Sequence, residues 1–146
     1  MNIMTFRGAF DFLSNFYPAK VEYEGIVYET AETAFQAQKS IDRDERLAFA
    51  ALSAAKAKSR GQKVKLRSDW EKVKVGLMER IVRAKFDQHP ELAARLVLTG
   101  KMPLVEGNAW HDVFWGVDVR TGEGENHLGR ILMAIRKEMQ QRLALA

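Results

Sequence analysis

The sequence predicts a predominantly helical α+β fold. Three observations carry that prediction. Two long segments, one starting at Trp70 and one at His127, repeat apolar residues at helical spacing. Apolar–polar alternation of the strand type is short and confined to residues 21–28 and a stretch between residues 104 and 119. These strands do not alternate with the helices regularly enough for a doubly wound parallel sheet.

Taken in order, the first thirty residues read as short strands and turns. Residues 21–28 alternate around Glu24-Gly25, a tight-hairpin signal. Thr30 follows as an N-cap, with Thr33 standing where a capping box would place Glu or Gln. An Ala-rich helix is expected over about residues 31–40. A second helix is expected over about residues 43–52, and Ser53 suits the cap of a short third one over residues 54–60. The clearest element starts after Ser68-Asp69, where Trp70, Val73, Leu77, Ile81 and Ala84 form one stripe reaching about Gln88. Pro90 fits the first turn of the next helix and Thr99-Gly100 ends it. Residues 104–106 and 113–119 read as β-like runs, and a Gly-rich loop over residues 121–126 leads into the last helix. That helix starts near His127 and carries the stripe Leu128, Ile131, Leu132, Ile135, Met139 and Leu143.

Composition narrows the function classes. With 146 residues, one domain over residues 1–146 is expected. Lys and Arg number 23 against 19 Asp and Glu, a net charge of +4 that permits an anionic partner without demanding one. There is no cysteine, so disulfides, thiolate catalysis and cysteine-held zinc or iron–sulfur centres are excluded. The three histidines, His89, His111 and His127, have no HExxH spacing, and no metal or cofactor is implied. The sequence also has no GxSxG elbow, nucleotide P-loop or dinucleotide-binding glycine fingerprint. Residues 1–7 do not resemble a secretory leader, and no apolar run approaches the roughly 18 residues of a membrane span. A cytoplasmic protein that does not engage membranes is therefore expected; the oligomeric state is not indicated.

Four features could carry chemistry, each with a plainer alternative. Glu32, Gln36 and Lys39 fall at i, i+4 and i+7, so they share one face of the first predicted helix. A carboxylate, an amide and an ammonium there could wall a polar cleft; an ordinary solvated face would look the same. The segment Trp110-His111-Asp112-Val113-Phe114-Trp115-Gly116 sets aromatic rings beside an acid. The rings could stack a base while Asp112 orients a water or a sugar hydroxyl, or the rings could fill a core while Asp112 caps a turn. The loop from Gly122 to Gly129 could hold a phosphate on backbone N–H groups, although its two glutamates favour a simple turn. Lys56, Lys58, Arg60, Lys63, Lys65 and Arg67 place six cations and no acid within residues 56–67, suited to phosphates or to solvent.

Together these segments resemble the NADAR family, also called YbiA-like proteins. The resemblance runs through nearly the whole chain. It is carried by Phe12-Leu13-Ser14-Asn15-Phe16, Glu32-Thr33-Ala34-Phe35-Gln36-Ala37-Gln38-Lys39 and Leu66-Arg67-Ser68-Asp69-Trp70. It continues with Ala84-Lys85-Phe86, Thr99-Gly100, Glu106 and Asp112-Val113-Phe114-Trp115-Gly116. It ends with Gly124-Glu125-Asn126-His127-Leu128-Gly129, Leu132-Met133 and Arg136. The family often has His after its glutamate, where this chain has Thr33, so no imidazole role is expected there.

The resemblance implies an N-glycosidase that hydrolyses a bond between a ribose C1 and nitrogen. Some members act on phosphorylated intermediates of riboflavin synthesis; others remove ADP-ribose from guanine in nucleic acid. The second substrate class is the leading expectation here, the first is its alternative, and a non-catalytic ADP-ribose-binding module is a third reading. The residues implied are Glu32, Asp112 and Lys39 for catalysis, and Asn15, Trp70, Trp115, Gly116 and Asn126 for substrate binding. Cleavage develops an oxocarbenium-like sugar, so a carboxylate should stabilise charge or activate water. Glu32 is read as the principal acid/base, Asp112 as the sugar or water orienter, and Trp70 or Trp115 as packing on base or ribose. Alternatively, Lys39 attacks C1 of an opened ribose and forms a Schiff base.

Overall fold

The computed structural model describes residues 5–145. Its helices dominate and its strands are few and short, as the sequence predicts. The chain divides into two compact units, one of residues 15–89 and the other of residues 1–14 and 90–146.

In the unit of residues 15–89, strands β1 (Val21–Tyr23) and β2 (Ile26–Tyr28) pair antiparallel, with Val21 opposite Tyr28 and Tyr23 opposite Ile26. Glu24 and Gly25 both have positive φ, which a two-residue hairpin turn of the primed type requires. Val21, Tyr23, Ile26 and Tyr28 alternate onto the buried face. Helix α1 (Ala31–Ala37) starts at Thr30, whose hydroxyl accepts from the Thr33 N–H at 3.0 Å. In place of a capping-box partner, the Thr33 hydroxyl sits 2.9 Å from that of Thr30 and donates to the Leu52 carbonyl at 3.0 Å. All seven residues of α1 are buried, so small side chains and a few precisely partnered polar ones are what the site permits.

Three more helices complete this unit: α2 (Arg43–Phe49), α3 (Ala54–Gly61) and α4 (Trp70–Gln88). The two first predicted helices stop short of their expected ends. After Ala37 and again after Phe49 the backbone tightens into i→i−3 bonds, such as Ser40 N–H to Ala37 and Leu52 N–H to Phe49. Ser53 caps α3 through the Lys56 N–H, as expected. Helix α1 packs against α2, α3, α4 and the hairpin, which makes it the centre of the unit. On α4 the buried face comprises Trp70, Leu77, Met78, Ile81, Val82, Lys85 and Phe86; Val73 and Ala84 of the expected stripe are only partly covered.

The other unit holds a 3₁₀ helix (Gly8–Leu13), α5 (Pro90–Leu98), α6 (His127–Leu145) and the two-residue strands β3 (Gly107–Asn108) and β4 (Val117–Asp118), paired in parallel. The 3₁₀ helix was not foreseen; Arg95 anchors it by stacking 4.2 Å from Phe12 and donating to the Ala9 carbonyl at 3.0 Å. Helix α5 packs on α6. The end of α5 is met by α6: Gln140 donates to the Val97 and Gly100 carbonyls, and the buried Arg136 donates to the Thr99 hydroxyl and the Met102 carbonyl. The β-like runs shrink for a specific reason. Asn126 takes the Glu106 N–H on Oδ1 and gives Nδ2 to the Leu104 carbonyl, so side-chain bonds replace strand pairing there. The stripe of α6 is buried from Leu128 to Met139, but Leu143 is 62% exposed, so the core ends one turn earlier than expected.

Candidate active site

The first predicted set of residues is gathered in the unit of residues 15–89. Helix α1 sets Glu32 in its first turn, and the Glu32 N–H donates to the Asn15 carbonyl at 3.0 Å. The Glu32 side chain is buried rather than solvated, so the face it shares with Gln36 is not a surface one. Gln36 Nε2 donates to Glu32 Oε2 at 2.6 Å, a short bond of the charge-assisted kind. Asn15 is buried; its Nδ2 lies 3.2 Å from the Met78 sulfur and its Oδ1 has no hydrogen-bond partner.

One turn further on, Lys39 is half-buried and its Nζ donates to the Gly61 carbonyl at 3.5 Å. Its pKa is lowered, because burial removes water from the ammonium; Glu32 opposes the shift and Lys58 adds to it. Trp70 is buried, packs 5.1 Å from Phe35 at a tilt of 49°, and carries the Lys39 Nζ 5.9 Å from its ring centre. The preceding loop sets this ring. The Arg67 N–H donates to the Lys39 carbonyl at 2.8 Å, and its guanidinium grips Asp69 through two bonds of 2.7 and 3.2 Å. The result is a carboxylate on α1, an amine of reduced basicity in the turn that follows it, and an indole at the start of α4. This set can stabilise a cationic sugar or offer a nucleophile.

The second predicted set lies in the unit of residues 1–14 and 90–146. Asp112 is partly buried, and its Oδ1 accepts from the N–H groups of Phe114 and Trp115 at 3.1 and 3.0 Å. Its own N–H and carbonyl are bonded to the Asn108 side chain. Asp112 thus caps the turn through Oδ1, and these bonds leave Oδ2 unused. Trp115 is half-buried and meets Phe114 edge-on at 4.8 Å. Gly116 leaves no space for a side chain, since a Cβ would collide with the Glu106 carbonyl and carboxylate. Asn126 has φ of 53° and both ends of its amide engaged in the bonds to residues 104 and 106.

Sequence reasoning passed over other residues. Gln36 was noted on the shared face but not as a partner of Glu32; Gly61 was read only as part of the basic run. Asp118 is buried and accepts from His111 Nδ1 at 2.8 Å, a pairing across seven residues with no local motif to announce it. Within the basic run, Arg60 pairs with Glu45 and Arg67 with Asp69, while Lys56, Lys58, Lys63 and Lys65 are exposed. An open cavity of about 330 Å³ lined by Glu22, Tyr23, Arg80, Arg83 and Asp87 contains none of the predicted residues. Among the described residues no cluster of His, Asp and Glu could hold a metal ion, and no helix is long and apolar enough to cross a membrane.

The mostly helical α+β fold defines one class of protein, and comparison identifies it. The NADAR domain model matches residues 5–140. The N-glycosidase YbiA of Escherichia coli K12 is 38% identical over 129 residues, covering 86% of this chain and 79% of that protein. A riboflavin biosynthesis protein of Vibrio vulnificus is 41% identical over 133 residues, covering 89% of this chain and 36% of that protein, so the chain spans about a third of that relative. The NMR structure of E. coli YbiA superposes with a TM-score of 0.85 at 34% identity, over 98% of this chain and 88% of that one. The chain belongs to the NADAR family.

Proposed function

We propose that this chain is an N-glycosidase that removes ADP-ribose from guanine in nucleic acid, cleaving the bond between ribose C1 and nitrogen. The N-glycosyl hydrolase class is that of its relatives named N-glycosidases. The observation that carries the chemistry is the buried Glu32 carboxylate, whose charge acts on Lys39, with the Lys39 amine over the Trp70 ring. Glu32 stabilises the oxocarbenium-like sugar or takes a proton from the attacking water. Trp70 packs on the base or the ribose, and Asn15 lies where Glu32 enters its helix. Asp112 orients the sugar or the water. Trp115, Gly116 and Asn126 shape the binding loop that carries it. A module that merely binds ADP-ribose has no need to bury a carboxylate next to a desolvated lysine, which favours the enzyme.

The exposed Lys56, Lys58, Lys63 and Lys65 favour a phosphate-rich substrate. A second reading, hydrolysis of phosphorylated riboflavin intermediates, is favoured by the relatives named for riboflavin biosynthesis in Vibrio vulnificus and Zea mays.

The deciding experiment incubates the protein with an oligonucleotide carrying ADP-ribosylated guanine, a riboflavin intermediate and NAD, and identifies products by mass spectrometry. Release of ADP-ribose from the oligonucleotide, weakening steeply with added salt, is the expected result. Turnover of the riboflavin intermediate alone, with a flat salt response, would replace the first reading by the second. Glu32→Ala should lose about 10²–10⁴-fold in rate, the range for a positioned acid or base; near-wild-type turnover would remove Glu32 from the mechanism.

A further inference from the structure

Gly61, the last residue of α3, meets one proposed catalytic group and the hydrogen-bond partner of another. Its carbonyl accepts from Lys39 Nζ at 3.5 Å. Its α-carbon faces the Gln36 amide so closely that a Cβ would collide with Gln36 Oε1 and lie 3.0 Å from its Cδ. We infer that Gly61 is a positioning residue, seating the Gln36 amide and the Lys39 amine and through them fixing the Glu32–Lys39 pair. This inference rests on the reading of Glu32 and Lys39 given above.

The usual reason for glycine at a helix end is a left-handed backbone, and Gly61 is not among the residues with positive φ. The close approach of Gln36 accounts for it instead. The orientation of that amide follows from its neighbour. Glu32 Oε2 accepts from the Gln36 NH₂ at 2.6 Å, which turns that end of the amide toward Glu32. The amide oxygen is then turned toward Gly61, where it is buried and has no hydrogen-bond partner. Leaving a buried acceptor unmet is costly, so the arrangement favours placement of the NH₂ group over satisfaction of the oxygen. At the other contact, the last carbonyls of a helix carry partial negative charge, and a cation is well placed there. One residue without a side chain thus serves both contacts. An added methyl would push the amide away from Glu32.

The test is a double-mutant cycle of Gly61→Ala and Gln36→Ala, assayed on whichever of the two substrates the wild type turns over. It is accompanied by thermal melts and by NMR of the Gln36 side-chain amide. Gly61→Ala should lower kcat by about 10-fold or more with KM little changed, the pattern of an interaction lost in the transition state. The Gln36 amide resonance should move toward its unbonded position. In the Gln36→Ala background the methyl has room, so Gly61→Ala should cost nothing further. Losses that multiply, or an unchanged kcat with an unchanged amide resonance, would overturn the inference. Should Gly61→Ala not fold, Gln36→Leu keeps the volume and removes the donor; the same loss of kcat is then expected, and wild-type kcat overturns the inference. The amide signal separates the two claims. If Glu32→Gln turns over normally while the Gly61→Ala resonance still shifts, the catalytic reading fails and the seating stands.

Discussion

The Lys39 ammonium lies 5.9 Å from the centre of the Trp70 ring, and its pKa is nevertheless lowered. Two neighbours favour the charged form: the indole face and Glu32. Burial outweighs Glu32, and Lys58 pushes the same way. Lys39 thus has more neutral amine at any given pH than a free lysine, whose ordinary value is 10.5.

That relationship makes the Schiff-base route testable by pH. With a substrate whose ribose ring can open to an aldehyde, borohydride should fix an adduct on Lys39 that mass spectrometry locates. Capture should rise with pH and reach its midpoint below 10.5, the sign required by a lowered pKa. Lys39→Arg should abolish it. An absence of adduct on Lys39 removes this route and leaves Glu32 acting on water.

Trp70 carries two duties that a substitution can separate. It is buried against Phe35, so part of its role is packing. Trp70→Phe keeps an aromatic ring there and should lower the melting temperature by only a few degrees, with about 1 kcal/mol corresponding to roughly 4 °C in a domain of this size. The rate should fall about 10-fold or more if the indole stacks on substrate, since base–aromatic stacking is worth about 1–3 kcal/mol. A loss of rate no larger than the loss of folded protein would leave Trp70 with the core role alone.

Asp112 calls for the same separation by a different pair of variants. Its Oδ1 holds the Phe114 and Trp115 N–H groups, a job that needs an acceptor but not a charge. Asp112→Asn should therefore keep the turn and the melting temperature, while Asp112→Ala should lower stability by about 1–2 kcal/mol through the lost cap. Activity should fall in both. If Asp112→Asn retains full kcat/KM, the residue is a turn cap only.

The legibility of this protein in its sequence follows the range of the interactions. Trp70 and His127 each head a 19-residue helix whose period shows plainly, and both helices begin where expected. The Thr30 and Ser53 caps are local patterns, and they hold. The strands of residues 104–119 are misjudged because Asn126, some twenty residues later, competes for the backbone groups of residues 104 and 106. In the candidate site, Glu32, Gln36 and Lys39 were visible together because they lie within eight residues, the first two on α1 and Lys39 in the turn that ends it. Spacing could not reveal that α1 is buried all round, which turns a polar face into a site. Gly61 touches Gln36 only through the packing of α3 on α1, and no pattern within either segment announces it.

The last prediction concerns acid stability. Asp118 is buried, and its carboxylate accepts from His111 Nδ1 at 2.8 Å and from the Arg120 N–H at 2.8 Å. The His111 bond chiefly, then the Arg120 N–H, hold its pKa down to about 2, against an ordinary 3.8. A carboxyl group whose folded value lies below its unfolded value adds stability above the unfolded value, and that contribution is lost as pH falls toward the folded one. The Asp118 contribution should thus be complete above pH 3.8 and disappear as pH falls to about 2. Melting temperatures of wild type and Asp118→Asn, measured at half-unit steps, should differ most above that window and converge within it. Other carboxylates also titrate there, but they do so in both proteins and cancel in the difference. Removing the imidazole should raise the Asp118 pKa and shift the convergence to higher pH. His111→Gly is the suitable variant, because φ at His111 is 61° and glycine accepts that backbone without strain. A difference between wild type and Asp118→Asn that stays constant from pH 5 to 2 would show that the His111–Asp118 pair contributes nothing through its charge.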